Sequence, residues 1–140
     1  MDLRHVEVVR EGDVVRVVLS GELLCAAEAH ELTAVATELV DDRSVRVVVL
    51  ASRRGDFCPG PAADLDPLAQ EIDPAAALAL LRVPVVAALS GAVTSVGLEV
   101  ALAADLRVLA DDALLSMPDL AQGRLPCWGG IARLSRAVGR

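Results

Sequence analysis

Aromatic side chains are nearly missing from this sequence. Tyr does not occur, and Phe57 and Trp128 are the only aromatic residues. The interior must therefore be built from Val, Leu and Ala. Without aromatics interleaved among cations, the chain has no platform on which single-stranded nucleic acid could stack. Lysine is absent too. All 13 basic residues are Arg, set against 20 Asp and Glu, for a net charge of −7. An acidic chain without a basic stripe argues against nucleic acid as its main partner. Cysteine is sparse: Cys25, Cys58 and Cys127 stand far apart, with no C-x-x-C pair. That argues against a disulfide framework and structural zinc, and fits a reducing compartment. No secretory leader is read, because Asp2, Arg4, His5 and Glu7 interrupt the N-terminus. The longest apolar region, Pro74 to Leu89, is broken by Arg82 and Pro84 and is too short to span a bilayer. These absences predict a cytoplasmic protein that does not engage a membrane and holds no metal.

What is present is apolar and regular. The 140 residues are 54% hydrophobic, enough for one domain with a packed core. Val6–Val9 and Val14–Leu19 are β-branched runs joined at Glu11-Gly12-Asp13, the pattern of a hairpin. From Ala26 to Val40, Ala29, Leu32, Val35, Ala36 and Leu39 recur at helical spacing, with Glu28, Glu31 and Glu38 off that face. Val45–Leu50 is a near-continuous run, the mark of a strand buried on both faces. A Gly- and Pro-dense loop follows from Ala51 to Pro61. The spacing predicts helix over 63–81, divided at Pro67 and Pro74, then a buried strand at Pro84–Leu89. Short strands are predicted at Leu106–Ala110 and Leu114–Ser116, a loop at Gly123–Gly130, and a last helix at Ile131–Val138. Strand and helix alternate, so the fold class is α/β.

The stretch Ser90 to Asp105 organises the rest. An extended run leads into small residues, and an apolar helix from Gly97 to Ala104 carries one carboxylate, Glu99. A turn that presents backbone N–H groups at a helix start can hold a developing oxyanion. A carboxylate beside it is a candidate acid or base. Asp119, after Met117-Pro118, is either its partner or the N-cap of the next segment.

Three collinear segments resemble one family. They are Val45–Leu50 with Phe57-Cys58-Pro59-Gly60 and Ala63-Asp64-Leu65; Pro84–Gly91 with Gly97-Leu98-Glu99 through Arg107; and Met117-Pro118-Asp119 with Leu125–Gly130 and Arg133–Gly139. Together they resemble the enoyl-CoA hydratase/isomerase (crotonase) superfamily. The resemblance implies a spiral of ββα turns, the ClpP/crotonase core, assembled as a homo-trimer or hexamer. It implies an acyl-CoA thioester as substrate, coenzyme A being carried as part of that substrate and no other cofactor being needed. Glu99 falls on the family's first catalytic Glu, and Asp119 on the second, with Asp in place of Glu. Val96 falls on the glycine whose N–H forms half of the oxyanion hole. The other half is Pro61, which lacks an N–H, or Ala63, which has one and is preferred. Gly60, Asp64, Leu65, Gly97 and Arg54 are the implied substrate-binding positions.

The resemblance also marks departures. The stretch 66–82 is shorter than the family's, and the sequence stops at Gly139-Arg140, where family members continue into a helical region. Two readings follow: an enoyl-CoA hydratase or isomerase, or a catalytically weakened crotonase-like remnant that binds CoA esters or a partner subunit supplying the missing helices.

Overall fold

In the computed structural model, which describes residues 2–69 and 71–139, Gly12 turns at φ 64° between the first two strands. These are β1 (Glu7–Glu11) and β2 (Val14–Leu19), paired antiparallel. Helix α1 (Ala26–Val40) starts at Cys25, whose Sγ accepts the Glu28 N–H at 3.4 Å. It returns the chain to β3 (Val47–Ser52), parallel to β2. Helix α2 (Pro74–Ala79) leads to β4 (Val85–Leu89), parallel to β3. After β5 (Ala92–Thr94), helix α3 (Val96–Leu102) leads to β6 (Leu106–Leu109), parallel to β4. Every parallel step thus carries a helix, as such crossovers require.

The main sheet runs in the order β1-β2-β3-β4-β6. A second, smaller sheet pairs β5 with β7 (Leu114–Ser116) in parallel. Bridges at Leu24–Pro61 and Cys58–Val93 extend that second layer. A 3-10 turn (Leu120–Gln122) and helix α4 (Gly130–Val138) complete the described chain. This mixed architecture is the α/β class expected from the alternation of strand and helix.

Alternation on the strands sets the layers. Val15, Val17, Leu19, Val48, Leu50, Val85, Ala87 and Leu89 point into the core, where α1 contributes Ala29, Leu32, Val35 and Ala36. Phe57 and Trp128 are both fully buried there.

Four expectations are corrected. Strand β3 is not buried on both faces: Val48 and Leu50 are buried while Val47 and Val49 are half-buried, because helices cover one face of the sheet. The helix over 63–81 is confined to Pro74–Ala79. Asp66 Oδ1 instead accepts the Leu68 N–H at 3.0 Å, a local turn that competes with helix, and Asp73 Oδ1 caps α2 through the Ala76 N–H at 2.8 Å. Glu28 is not off the buried face of α1: it is buried, and its carboxylate accepts the Ser20 N–H at 2.7 Å. Strand β5 lies inside the segment read as a turn, and is too short to carry a periodicity of its own.

Candidate active site

Helix α3 carries Glu99 on its first turn and buries every residue it contains. Glu99 is 2% exposed, which places a carboxylate in apolar surroundings. Its Oε1 accepts two backbone N–H groups where α4 begins, from Trp128 at 2.8 Å and Gly130 at 2.9 Å. Burial pushes the Glu99 carboxyl above the ordinary carboxylate value; the Gly130 and Trp128 amides pull it back only in part, and Asp119 adds repulsion. A carboxyl held in this way keeps its proton to higher pH than an exposed one.

Asp119 occupies the N-cap position of the 3-10 turn, but its side chain makes no capping bond. It is buried, and its Oδ1 accepts the Ser95 hydroxyl at 2.8 Å. Arg124 Nε stands 3.8 Å from the same oxygen. Among the described residues, Asp119 Oδ2 is buried without a hydrogen-bond partner. The side-chain bond that the capping reading requires is thus not made.

Both carboxylates line one cavity of about 660 Å³. Its walls also include Ala63, Leu65, Leu68, Val96, Arg124 and Cys127. Val96 is the first residue of α3, so its N–H has no acceptor within the helix. Positive φ falls not on Val96 but on the residue before it: Ser95 has φ 52° and ψ −126°, the only described non-glycine residue at positive φ. That conformation costs on the order of 1–3 kcal/mol for a residue with a side chain. Among the described residues, the Ala63 N–H donates to no protein acceptor, while its neighbours are engaged: Ala62 N–H with Leu24 O at 2.8 Å and Leu65 N–H with Ala62 O at 3.1 Å. Pro61 lines the cavity as well, with no N–H to offer.

Of the sequence-derived site residues, the cavity thus brings together Glu99, Asp119, Ala63, Val96 and Leu65. Four others do not line it. The Gly60 carbonyl accepts the Leu24 N–H at 2.8 Å. Asp64 Oδ2 lies 3.4 Å from the Ala26 N–H at the start of α1. Arg54 pairs with Glu22 at 2.8 Å, and both side chains are well exposed. Gly97 is held by packing: a Cβ there would stand 2.5 Å from the Cys58 carbonyl oxygen.

Sequence reasoning missed Ser95, Arg124 and the two amides that hold Glu99. Those amides lie 29 and 31 residues beyond it, and the Gly129-Gly130 pair was the one visible signal. Cys127 donates its thiol to Pro67 O at 3.1 Å, and burial with nearby carboxylates pushes that thiol up to about 11, which disfavours the thiolate a nucleophile needs. Among the described residues no group of three or more His, Cys, Asp or Glu is placed to hold a metal ion, and no helix is long and apolar enough to cross a membrane.

Comparison with known proteins places this geometry in context. The family model described as enoyl-CoA hydratase/isomerase matches residues 22–140. The chain is 32% identical over 121 residues to "Probable enoyl-CoA hydratase echA8" of Mycobacterium bovis, covering 79% of this chain and 46% of that protein. It is 36% identical over 115 residues to "Enoyl-CoA hydratase domain-containing protein 2, mitochondrial" of Bos taurus, covering 73% of this chain and 38% of that one. The chain thus spans less than half the length of both relatives. Among solved structures, Pseudomonas aeruginosa DspI superposes with a TM-score of 0.90 at 25% identity, covering all of this chain (100%) and 59% of that one. A Geobacillus kaustophilus structure titled as an enoyl-CoA hydratase subunit superposes with a TM-score of 0.86 at 27% identity, covering 100% and 59%.

Proposed function

The chain belongs to the enoyl-CoA hydratase/isomerase family, and from that premise we propose that it adds water to a 2-enoyl-CoA thioester. The observation that carries this reading is the convergence of Glu99 and Asp119 on one cavity. The thioester carbonyl sits against the Ala63 and Val96 N–H groups. Charge builds on that oxygen as the enolate forms, and preorganised donors aimed there act most strongly in the transition state. Water stands between the carboxylates. Its oxygen bonds to Cβ as one proton passes to a carboxylate and the C=C π pair moves into the enolate; one of the two carboxyl groups, carrying a proton, then delivers it to Cα as the enolate collapses, so the elements of water are added in full. Glu99 presents one fixed oxygen to its two amides and keeps the other outside those bonds. Leu65, Leu68 and Val96 give the acyl chain an apolar wall. No metal or further cofactor enters the reaction, since coenzyme A arrives as part of the substrate.

The same oxyanion donors and carboxylates would serve double-bond isomerisation. A second reading, a weakened core that binds CoA esters or a partner subunit, is favoured by the apolar surface of β6 and β7. Leu106, Leu109, Leu114 and Leu115 are all at least 37% exposed, and the first two and Leu115 border a groove of about 490 Å³ with Leu98 and Leu134. Under either reading that face is covered in a homo-trimer or hexamer or by a partner subunit, in a cytoplasmic setting without a membrane or nucleic acid.

The test is hydration of crotonyl-CoA, followed by ultraviolet loss of the conjugated thioester, for the wild-type chain and Glu99→Gln. The amide keeps an acceptor for the Trp128 and Gly130 N–H groups but cannot exchange a proton. A fall of about 10²-fold or more is expected. Equal rates for the two would overturn the hydratase reading. Sedimentation as a folded monomer with no CoA-ester affinity would favour the remnant that awaits a partner subunit.

A further inference from the structure

We propose that Ser95 is a positioning residue of this site, its hydroxyl fixing the carboxylate of Asp119. The proposal rests on the hydratase reading for its catalytic part and on geometry alone for the contact.

Ser95 is bonded to the Asp119 carboxylate through its side chain and to Glu99 only through the backbone. Its hydroxyl donates to Asp119 Oδ1 at 2.8 Å, and its carbonyl accepts the Glu99 N–H at 3.1 Å. Its own N–H donates to Ser116 O at 3.1 Å, which ties it to β7. A serine at this place has an obvious alternative task, because it is the N-cap of α3, where serine ordinarily accepts a backbone N–H. It makes no such bond; the hydroxyl is turned to Asp119 instead.

The backbone says the same thing. Ser95 holds φ 52° and ψ −126°, a conformation that glycine adopts freely and other residues resist. A side chain is present where the main chain would be easier without one. What that side chain does in the folded molecule is hold a buried aspartate. Asp119 has a short arm, and its Oδ2 is buried with no partner among the described residues. The Ser95 hydroxyl is thus its closest donor, since Arg124 Nε lies 3.8 Å away on an exposed side chain. Ser95 is itself 3% exposed and does not line the cavity. Its link to the cavity runs through Asp119, which lines it, and this is the part of a positioning residue.

The test compares Ser95→Gly, Ser95→Ala and Ser95→Gly/Asp119→Glu in crotonyl-CoA hydration and in thermal melting. Glycine relieves the backbone, so Ser95→Gly should melt no lower than wild type. Its kcat should still fall about tenfold or more through misplacement of Asp119, with KM changed by no more than about twofold. Ser95→Ala should lose kcat similarly while keeping the strained backbone. The longer carboxylate of the double variant should recover part of the loss. Wild-type kcat in Ser95→Gly overturns the proposal.

An independent readout does not need turnover. Ser95→Gly should raise the melting temperature more in an Asp119→Ala background than in wild type, because only the latter loses the hydroxyl–carboxylate bond. Equal shifts in both backgrounds overturn the contact itself. Wild-type protein with no turnover overturns the hydratase reading and the catalytic part of this one, while the melting comparison still decides the contact.

Discussion

Gly130 leaves Glu99 its place: a Cβ on residue 130 would stand 2.7 Å from both Cγ and Oε1 of Glu99. The residue that donates an N–H to this carboxylate is therefore also the one whose missing side chain makes room for it. Gly130→Ala should displace the carboxylate from both amides and lower crotonyl-CoA hydration by about tenfold or more. Stability should fall as well, because the displaced carboxylate leaves buried amides unpaired at about 1–3 kcal/mol each. Paired activity and melting measurements check this; unchanged activity would show that the carboxylate is not fixed by the clamp.

Gly97 presents the opposite case. The atoms facing an added Cβ are the Cys58 carbonyl oxygen at 2.5 Å and Cys58 Cβ at 2.6 Å. Neither belongs to the end of a flexible side chain, so the backbone itself must move. Gly97→Ala should cost about 1–3 kcal/mol of stability, as overpacked sites do, and urea unfolding reads it directly.

Glu28 offers a pH test remote from the cavity. Burial pushes its carboxyl above the ordinary value, the Ser20 backbone and hydroxyl bonds offsetting this only in part. A folded pKa above the unfolded one means that the folded state binds the proton more tightly. This residue's contribution is then full below the unfolded value of 4.5 and is lost as pH rises through the raised folded value. Glu28→Gln mimics the protonated form. Its melting temperature relative to wild type should rise between pH 4.5 and pH 8, a gap that scanning at the two pH values measures.

Glu31 behaves in the reverse sense. Burial pushes it up, but backbone N–H groups of Val6, Arg4 and His5 outweigh that, and its carboxyl is lowered. The three bonds measure 2.8, 3.0 and 2.8 Å in that order and tie the N-terminal segment to α1. Their contribution is present above the unfolded value of 4.5 and lost as pH falls through the lowered folded one. Glu31→Ala should speed amide hydrogen exchange at Arg4, His5 and Val6 at neutral pH, while the rest of α1 keeps its protection.

The sequence carried most of the architecture, because hydrophobic period and Pro and Gly punctuation are local. The hairpin at Gly12, α1 over Ala26–Val40 and the strands at β4 and β7 all follow from neighbours within a few residues. The failures came where distant groups decide. Glu28 looked like a solvent-facing helix residue until Ser20, eight positions earlier, supplied its partners. The apolar stretch after Ala63 looked helical until Asp66 spent its carboxylate on a turn. In the site, Glu99 and Asp119 were legible through motif order, whereas the Ser95 hydroxyl and the Trp128 and Gly130 amides were not. Those partners are set by three-dimensional approach, and a serine before a helix reads as an ordinary cap.

The clamp on Glu99 also bears on how the molecule comes into being. Its two amide donors follow it by 29 and 31 residues, so a chain emerging from the ribosome exposes α3 well before it exposes what α3 must hold. A carboxylate buried alone is strongly unfavourable, which keeps that helix open to water until residues 128–130 arrive. The sheet from β1 to β4 can assemble earlier, since domains tend to organise from the N-terminal side during synthesis. The cavity beside Glu99 thus cannot be completed before residues 128–130, whose amides hold its carboxylate, have been synthesised.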